Sequence, residues 1–157
     1  MATEIERKFL VKDLEAVRQH SVRSYSISQG YISSGNGRTV RVRLRDEEAF
    51  LTIKGPSLDG GISRYEWEQP VNPSDARELM LLCELPPIVK TRHIVPFGGH
   101  TFEVDEFHEA NEGLVVAEVE LKSPGEAFDR PQWLGEEVTG QKRYYNASLS
   151  ALPYSKW

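Results

Sequence analysis

The feature that most constrains this chain is a repeated alternation of polar and apolar residues along short, β-prone segments. Eight segments are rich in Val, Ile, Thr, Tyr, Phe and Trp and show the period-2 pattern of strands. They cover residues 3–11, 24–32, 38–45, 49–54, 62–69, 88–95, 101–107 and 115–122. Turn-forming clusters at residues 33–37, 55–61 and 96–99 separate neighbouring segments, and short turns favour antiparallel pairing. The pattern predicts a mainly β fold, either a barrel or a sandwich.

The polar face of these segments is unusually uniform, because most of its positions are charged. Arg41, Arg43 and Arg45, for example, alternate with Val42 and Leu44. Side chains at i and i+2 lie about 6.6 Å apart on one strand face, so a pair of them can bind one ion or adjacent phosphates. Such a face can be a solvated outer surface with cross-strand ion pairs. If helices cover the outside of a closed sheet, the charged face instead lines the interior, where water, ions or a ligand must accompany it.

Three helices are predicted, over about residues 13–20, 73–84 and 145–152. The second has the clearest start, because Asn72 is a favourable N-cap and Pro73 suits the first helical position. Its apolar residues Leu79, Leu82 and Cys83 are expected to form one buried stripe.

The bulk properties of the chain exclude several classes of protein. Its 157 residues fit a single domain, 1–157. A net charge of −5 argues against a nucleic-acid binder, and no apolar run approaches the roughly 20 residues that cross a membrane. One cysteine, Cys83, forms no internal disulfide, so a cytoplasmic location is expected.

The mixture of charges along these strands has a chemical logic of its own. Arginine and lysine bind phosphate oxygens, and clustered carboxylates bind a hard divalent cation such as Mg²⁺ or Mn²⁺. Together they are the groups that phosphoryl transfer requires. The sequence therefore favours a phosphate ligand and a divalent metal.

Motifs along almost the whole chain resemble those of the CYTH superfamily, also called triphosphate tunnel metalloenzymes. The first is the Glu-x-Glu-x-Lys pattern of Glu4, Glu6 and Lys8, which alone would be a weak match. In order, the later motifs are Gln29-Gly30-Tyr31, Arg41-x-Arg43, Thr52-x-Lys54, Glu66-x-Glu68, Lys90-Thr91-Arg92, Asp105-x-Phe107, Glu118-x-Glu120, and residues 135–139 followed by Lys142-Arg143-Tyr144. The short form of the chain is most similar to the bacterial inorganic triphosphatases.

The resemblance implies an eight-stranded closed antiparallel β-barrel that forms a charged tunnel, with a few helices packed outside. It also implies a requirement for Mg²⁺ or Mn²⁺ and a small-molecule triphosphate substrate. The expected metal carboxylates are Glu4, Glu6, Glu118 and Glu120, with the first two and the last favoured as direct ligands. The expected phosphate-binding residues are Lys8, Arg41, Arg43, Lys54, Lys90 and Arg92.

Other residues are expected to assist. Lys54 and Tyr31 form a candidate catalytic dyad, in which surrounding cations would lower the pKa of the lysine and allow proton transfer. Glu66, Glu68 and Asp105 are expected to orient the basic residues or a water.

The favoured function is hydrolysis of inorganic triphosphate to pyrophosphate and phosphate. One alternative is another reaction in the same tunnel, that of a class IV adenylyl cyclase or of a nucleoside or thiamine triphosphatase. Others are a non-catalytic polyphosphate- or nucleotide-binding module and an ordinary β-sandwich interaction domain. No nucleic-acid or membrane partner is expected, and the oligomeric state stays open, with a homodimer among the options.

Overall fold

The alternating segments become strands in the computed structural model, which describes residues 3–157. The strands are β1 (Thr3–Val11), β2 (Arg23–Gly35), β3 (Arg38–Arg45), β4 (Glu48–Leu58), β5 (Ser63–Val71), β6 (Ile88–Phe97), β7 (His100–Phe107), β8 (Val115–Glu120) and β9 (Leu134–Glu137). The α-helices are α1 (Leu14–His20), α2 (Pro73–Met80) and α3 (Asn146–Ala151). No helix within the described residues is long and apolar enough to cross a bilayer.

Eight of these strands close into a barrel. Hydrogen-bonded neighbours follow the order β5, β4, β3, β2, β6, β7, β8, β1, and the first residues of β1 pair back to β5. Every pairing is antiparallel. The later part of β1 pairs with β9 through Phe9 and Val11, while residues 6–10 pair with β8. The predicted closed eight-stranded barrel is confirmed.

One side of the outer barrel wall is covered by α1 and by the segment that follows β8. Phe9 and Phe102 point outward from β1 and β7 and are fully buried. They belong to a cluster that includes Val17 of α1 and Trp133, whose ring packs edge-on against Phe102 at 5.4 Å. Burial of these apolar side chains holds the covering segments on the barrel.

A second part of the outer wall is covered by α2, which starts as predicted and ends early. The Asn72 side chain accepts a 2.8 Å hydrogen bond from the backbone N–H of Ser74. Ala76 packs on Val42, but the helix stops at Met80 rather than near residue 84. The predicted stripe is therefore partly wrong, because Leu82 lies beyond the helix and is 61% exposed. Cys83 also lies outside the helix and packs half-buried against the same cluster as Ala76.

The outer face of β4 and β5 has no such cover in the part of the chain that the structure describes. Ile53 pairs with Trp67 across these strands, and Tyr65 lies two residues from Trp67 on the same face. All three side chains are exposed. The outward-facing apolar side chains are thus covered on most of the barrel, but those of β4 and β5 are exposed.

The inside of the barrel is charged over part of its length and apolar at one end. Leu10 has the same strand parity as Lys8, which faces the lumen, whereas Phe9 faces outward. Leu10 packs with residues from β6, β7 and β8 that share the inward parity, and with residues that follow β9 and with α3. The buried members are Ile88, Phe107, Leu114, Val116, Val138, Tyr144 and Leu149. These side chains seal one end of the lumen, which the charge pattern alone did not predict.

Candidate active site

The charged part of the lumen encloses a cavity of about 690 Å³. Seven of the eight barrel strands contribute charged residues to its wall, and β2 contributes Tyr31 and Ser34. The charged residues that line it include Glu4, Glu6, Lys8, Arg41, Arg43, Lys54, Glu66, Glu68, Lys90, Arg92, Glu103, Glu118 and Glu120. All the predicted metal and phosphate residues therefore face one space. The charged face of the strands therefore lines the interior of the barrel and is not a solvated outer surface.

Two arginines of β3 form a buried basic pair in the cavity wall. Arg41 and Arg43 are only 8% and 7% exposed. Glu68 contacts both guanidinium groups, at 3.6 Å and 3.3 Å, and Thr52 accepts a 3.2 Å bond from Arg41. The Nε atoms of both arginines are buried without a hydrogen-bond partner among the described residues. Buried donors of this kind fit an anion, because an unpaired buried polar group is costly.

A second basic group joins β6 to β7. Asp105 accepts hydrogen bonds from Lys90 at 2.7 Å and from Arg92 at 2.8 and 2.9 Å. Burial opposes ionisation of Asp105, but the two cations outweigh it and hold the pKa of its carboxyl well below the ordinary value. Burial lowers the pKa of Lys90 to about 8, against the opposing charge of Asp105. Asp105 thus contacts two of the phosphate-binding candidates, and its predicted orienting role stays a prediction.

Carboxylates gather where β1 pairs with β8. Glu6 lies opposite Glu120, and Lys8 lies opposite Glu118, whose carboxylate is 3.5 Å from the ammonium. Burial raises the pKa of Glu6 well above its ordinary value, and the nearby charges of Glu118 and Glu4 raise it further. The pKa of Glu120 is also raised, by burial and then by neighbouring carboxylates. Like charges are therefore held together at a cost that a cation would relieve.

The donor set of this acidic group fits a hard divalent cation. Carboxylate oxygens are the ligands that Mg²⁺ and Mn²⁺ prefer, and Mg²⁺ commonly keeps several of its waters. No three acidic, histidine or cysteine side chains within residues 3–157 already converge as a metal cage. Part of the reason is that Glu4 and Glu118 are paired with lysines. A cation would have to compete with those ammonium groups for the oxygens.

Lys54 occupies a different electrostatic environment from the one expected. Its ammonium donates to both carboxylate oxygens of Glu4, at 2.9 and 3.1 Å, and lies 3.4 Å from Glu66. Burial alone would lower the pKa of Lys54, but Glu4 and Glu6 outweigh it and raise the pKa. The expectation of a lowered pKa is wrong, because acids rather than cations surround this lysine.

The acids that hold Lys54 respond in opposite ways. Burial would raise the pKa of Glu4, but Lys54 outweighs it and lowers the pKa to about 2. Burial and the hydrogen bond with Glu4 raise the pKa of Glu66 to about 7. Tyr31 also lines the cavity, but its hydroxyl lies 3.5 Å from the Gln29 amide and makes no hydrogen bond to Lys54 in the described chain. The structure does not join Lys54 and Tyr31 as a dyad.

Two polar residues of the site had no role in the sequence interpretation. Gln29, fully buried, shares the strand parity of Tyr31 and could have been found by that signal. Asn146 could not, because it belongs to α3 and reaches the cavity only in the folded chain. Its Oδ1 accepts from Lys90 at 2.9 Å and from Gln29 at 3.1 Å.

Comparison with known proteins agrees with this architecture. A family model described as CYTH domain matches residues 2–153. The inorganic triphosphatase of Acetivibrio thermocellus is 42% identical over 158 aligned residues, which cover 100% of this chain and 99% of that protein. The inorganic triphosphatase of Nitrosomonas europaea is 37% identical over 153 residues, or 94% of this chain and 97% of that protein. A crystal structure of the inorganic triphosphatase NE1496 matches with a TM-score of 0.68 at 32% identity, covering 96% of this chain and 95% of that one. A charged lumen in a closed barrel, together with a family match over nearly the whole length, shows that the chain belongs to the CYTH family.

Proposed function

We propose that this protein is a divalent-metal-dependent triphosphatase that hydrolyses inorganic triphosphate to pyrophosphate and phosphate. The observation that carries the proposal is the content of one cavity. Buried guanidinium groups with unpartnered Nε donors lie in the same lumen as mutually repelling carboxylates. The first group matches a polyanion and the second matches a cation. The relatives named inorganic triphosphatase support the same substrate.

In this proposal the basic residues bind and orient the phosphates. The members of this group are Lys8, Arg41, Arg43, Lys54, Lys90 and Arg92. Arg41 and Arg43 present planar guanidinium groups that can donate to two oxygens each, whereas the lysines act as point charges. Because these groups are held by Thr52, Glu68 and Asp105 before substrate arrives, little reorganisation is needed on binding.

The acidic residues would hold the metal. Glu4, Glu6, Glu118 and Glu120 are the candidates, and Mg²⁺ or Mn²⁺ the candidate ions. Held by these carboxylates, such an ion would neutralise phosphate charge and would lower the pKa of a water that it binds. In the reaction a water oxygen bonds to the terminal phosphorus, the bridging P–O bond breaks, and pyrophosphate leaves with the electron pair. The proton that the water loses passes to solvent or to the leaving pyrophosphate. The basic residues stabilise the negative charge that grows on the leaving oxygen.

Lys54 contributes charge rather than a basic nitrogen in this scheme. Its raised pKa favours the protonated form, which donates to a phosphate oxygen. The role of Tyr31 in catalysis stays a prediction. The orienting roles of Glu66, Glu68 and Asp105 also stay predictions. A cytoplasmic location, a single domain over residues 1–157, and the absence of nucleic-acid or membrane partners likewise stay predictions.

A product analysis tests the proposal. Purified protein is incubated with Mg²⁺ or with Mn²⁺ and, separately, with tripolyphosphate, ATP, GTP and thiamine triphosphate, and the products are resolved by ion chromatography. We expect equal amounts of phosphate and pyrophosphate from tripolyphosphate, and none after chelation of the metal. Cyclic AMP from ATP would support a cyclase instead. Hydrolysis of a nucleoside or thiamine triphosphate that is faster than that of tripolyphosphate would indicate that compound as the substrate. Binding without turnover would indicate a non-catalytic module.

A further inference from the structure

Asn146 occupies an unusual position, because it connects the sealed apolar end of the barrel to the charged cavity. It is the first residue of α3, and three residues later Leu149 is buried at 1% exposure in the apolar cluster that closes the lumen. The backbone N–H of Leu149 also donates to the Tyr145 carbonyl at 2.9 Å. Since Leu149 is fixed by packing, the adjacent turn holds the Asn146 side chain at the cavity wall.

The hydrogen bonds of Asn146 fix which of its side-chain atoms faces Lys90. Its Oδ1 receives the Lys90 ammonium at 2.9 Å and the Gln29 amide nitrogen at 3.1 Å. An amide has a carbonyl oxygen with two lone pairs and an NH₂ group that only donates. Turning the amide around would place donors against the Lys90 ammonium, so the oxygen must face the lysine.

Lys90 is left with one donor for a ligand. An ammonium has three N–H groups, and Lys90 uses two of them, for Asp105 at 2.7 Å and for Asn146. Asp105 also accepts from Arg92 at 2.8 and 2.9 Å. The Lys90 ammonium is therefore held between the Asp105 carboxylate and the Asn146 oxygen. Because the Asn146 side chain is neutral, it adds no negative charge beside the phosphate site.

We propose that Asn146 is a positioning residue that holds the Lys90 ammonium, together with the Gln29 amide, in the orientation that binds phosphate. This inference rests on the proposed function only in taking Lys90 as a phosphate-binding group. Without the Asn146 oxygen, the acceptors of the ammonium in this region are carboxylates, and the Lys90 side chain shifts toward them and away from the ligand. Asn146 acts through Lys90 and need not touch the substrate.

The test measures binding of pyrophosphate, which has no terminal triphosphate bond to hydrolyse, by titration calorimetry with Mg²⁺ present. Asn146→Ala should weaken pyrophosphate binding about tenfold, the scale of one hydrogen bond to a charged group. Its melting temperature should fall by a few degrees, because the buried Lys90 and Gln29 donors lose an acceptor. Lys90→Met should weaken binding as well, and adding Asn146→Ala to Lys90→Met should cause no further loss.

Leu114→Ala is the matched control, because it removes packing from the same apolar cluster at a residue outside α3 and leaves the hydrogen bonds of Asn146 and Lys90 in place. It should lower the melting temperature and leave pyrophosphate affinity within about twofold of the wild type, since packing and site contacts are separate. The inference is overturned if Leu114→Ala reproduces the affinity loss, or if Asn146→Ala weakens binding equally with and without Lys90. If wild-type protein binds pyrophosphate but does not hydrolyse tripolyphosphate, the proposed function fails while Asn146 is still tested. If it binds neither anion, both fail.

Discussion

The two ends of the barrel lumen are built on the same strand faces but have opposite chemistry. On β1, Lys8 faces the charged cavity, and Leu10, one step further on the same face, packs in the apolar cluster. On β8, Glu118 and Val116 show the same change. The charged end is costly to form and suited to a ligand, whereas the apolar end contributes stability and closes the space. The comparison teaches that strand parity decides which side chains face inward, and that composition along one face decides where binding ends and packing begins.

The largest effect that we expect comes from removing a carboxylate of the charged end. Glu6→Gln and Glu120→Gln should each lower kcat/KM for tripolyphosphate by about 1,000-fold, the scale of removing one preorganised electrostatic group. Both variants should fold, because glutamine keeps the size of glutamate and removes repulsion. Steady-state kinetics and circular dichroism measure the two outcomes. The exposed Glu136→Gln, on β9, is the matched control and should be unaffected; near-normal rates in both cavity variants would refute the metal assignment.

Asp105→Asn should destabilise the charged end of the barrel. The substitution leaves Lys90 and Arg92 buried without their carboxylate, which should lower the free energy of unfolding by about 3 kcal/mol. The effect depends on pH in a defined direction. The pKa of Asp105 is held below its ordinary value of 3.8, so its contribution is fully present above that value and is lost as the pH falls through the lower folded-state pKa.

Urea unfolding should therefore give a difference in the free energy of unfolding between wild type and Asp105→Asn that stays constant between pH 5 and pH 7. We expect that difference to be about 3 kcal/mol. Below about pH 4 the difference should shrink, because the unfolded wild-type chain then takes up a proton. A difference that grows in acid would contradict the assignment of Asp105 as a buried, ionised counter-ion.

A pair of isosteric exchanges sharpens the comparison between the two ends. Thr52→Val removes a hydroxyl that donates to Glu68 at 2.6 Å and accepts from Arg41, whereas Val116→Thr adds a hydroxyl to the apolar cluster. Each should lower the free energy of unfolding by about 1–2 kcal/mol, since one loses partners and the other buries a hydroxyl without any. Only Thr52→Val should raise KM for tripolyphosphate. Equal kinetic effects would show that the two ends are not separate in function.

The smallest effect concerns the metal. Because Glu6 is repelled by Glu118 and Glu4, adding Mg²⁺ at pH 8 should raise the melting temperature of the wild type by a few degrees. In Glu6→Gln the increase should be smaller, and the metal-free variant should melt at or above the metal-free wild type. Differential scanning fluorimetry with and without EDTA measures both quantities. A larger metal effect in the variant would argue against cation binding at this carboxylate.

Much of this fold could be predicted from the sequence, because period-2 alternation marks strands directly. The eight barrel strands lie where that pattern placed them, and Asn72 caps α2 as expected. The pattern missed β9, since four residues are too few to show a period. It also extended α2 past Met80, because the apolar residues that follow continue the helical spacing although Leu82 faces solvent.

The candidate site was predictable only in part. Residues such as Arg43 and Lys90 could be identified because charge on an inward parity is visible along one strand. Their partners across the lumen could not, so the Glu4 ion pair that raises the pKa of Lys54 was not foreseen. Asn146 and the apolar seal escaped for the same reason, because both depend on how the last helix packs into the barrel. Periodicity reports on neighbours along a strand and contains no information about contacts between distant elements.

The order in which the barrel is assembled from the chain has a consequence for synthesis on the ribosome. The first residues of β1 pair with β5, but the rest of β1 pairs with β8, where Glu6 lies opposite Glu120. Strands β2 to β5, in contrast, are neighbours in sequence and can pair as soon as they emerge. Leu149, which belongs to the apolar cluster that closes the lumen, is made later still. Until β8 and α3 are made, the chain lacks Glu118, Glu120 and Asn146, so the cavity wall is incomplete. We therefore expect ligand binding only by chains that are translated past α3.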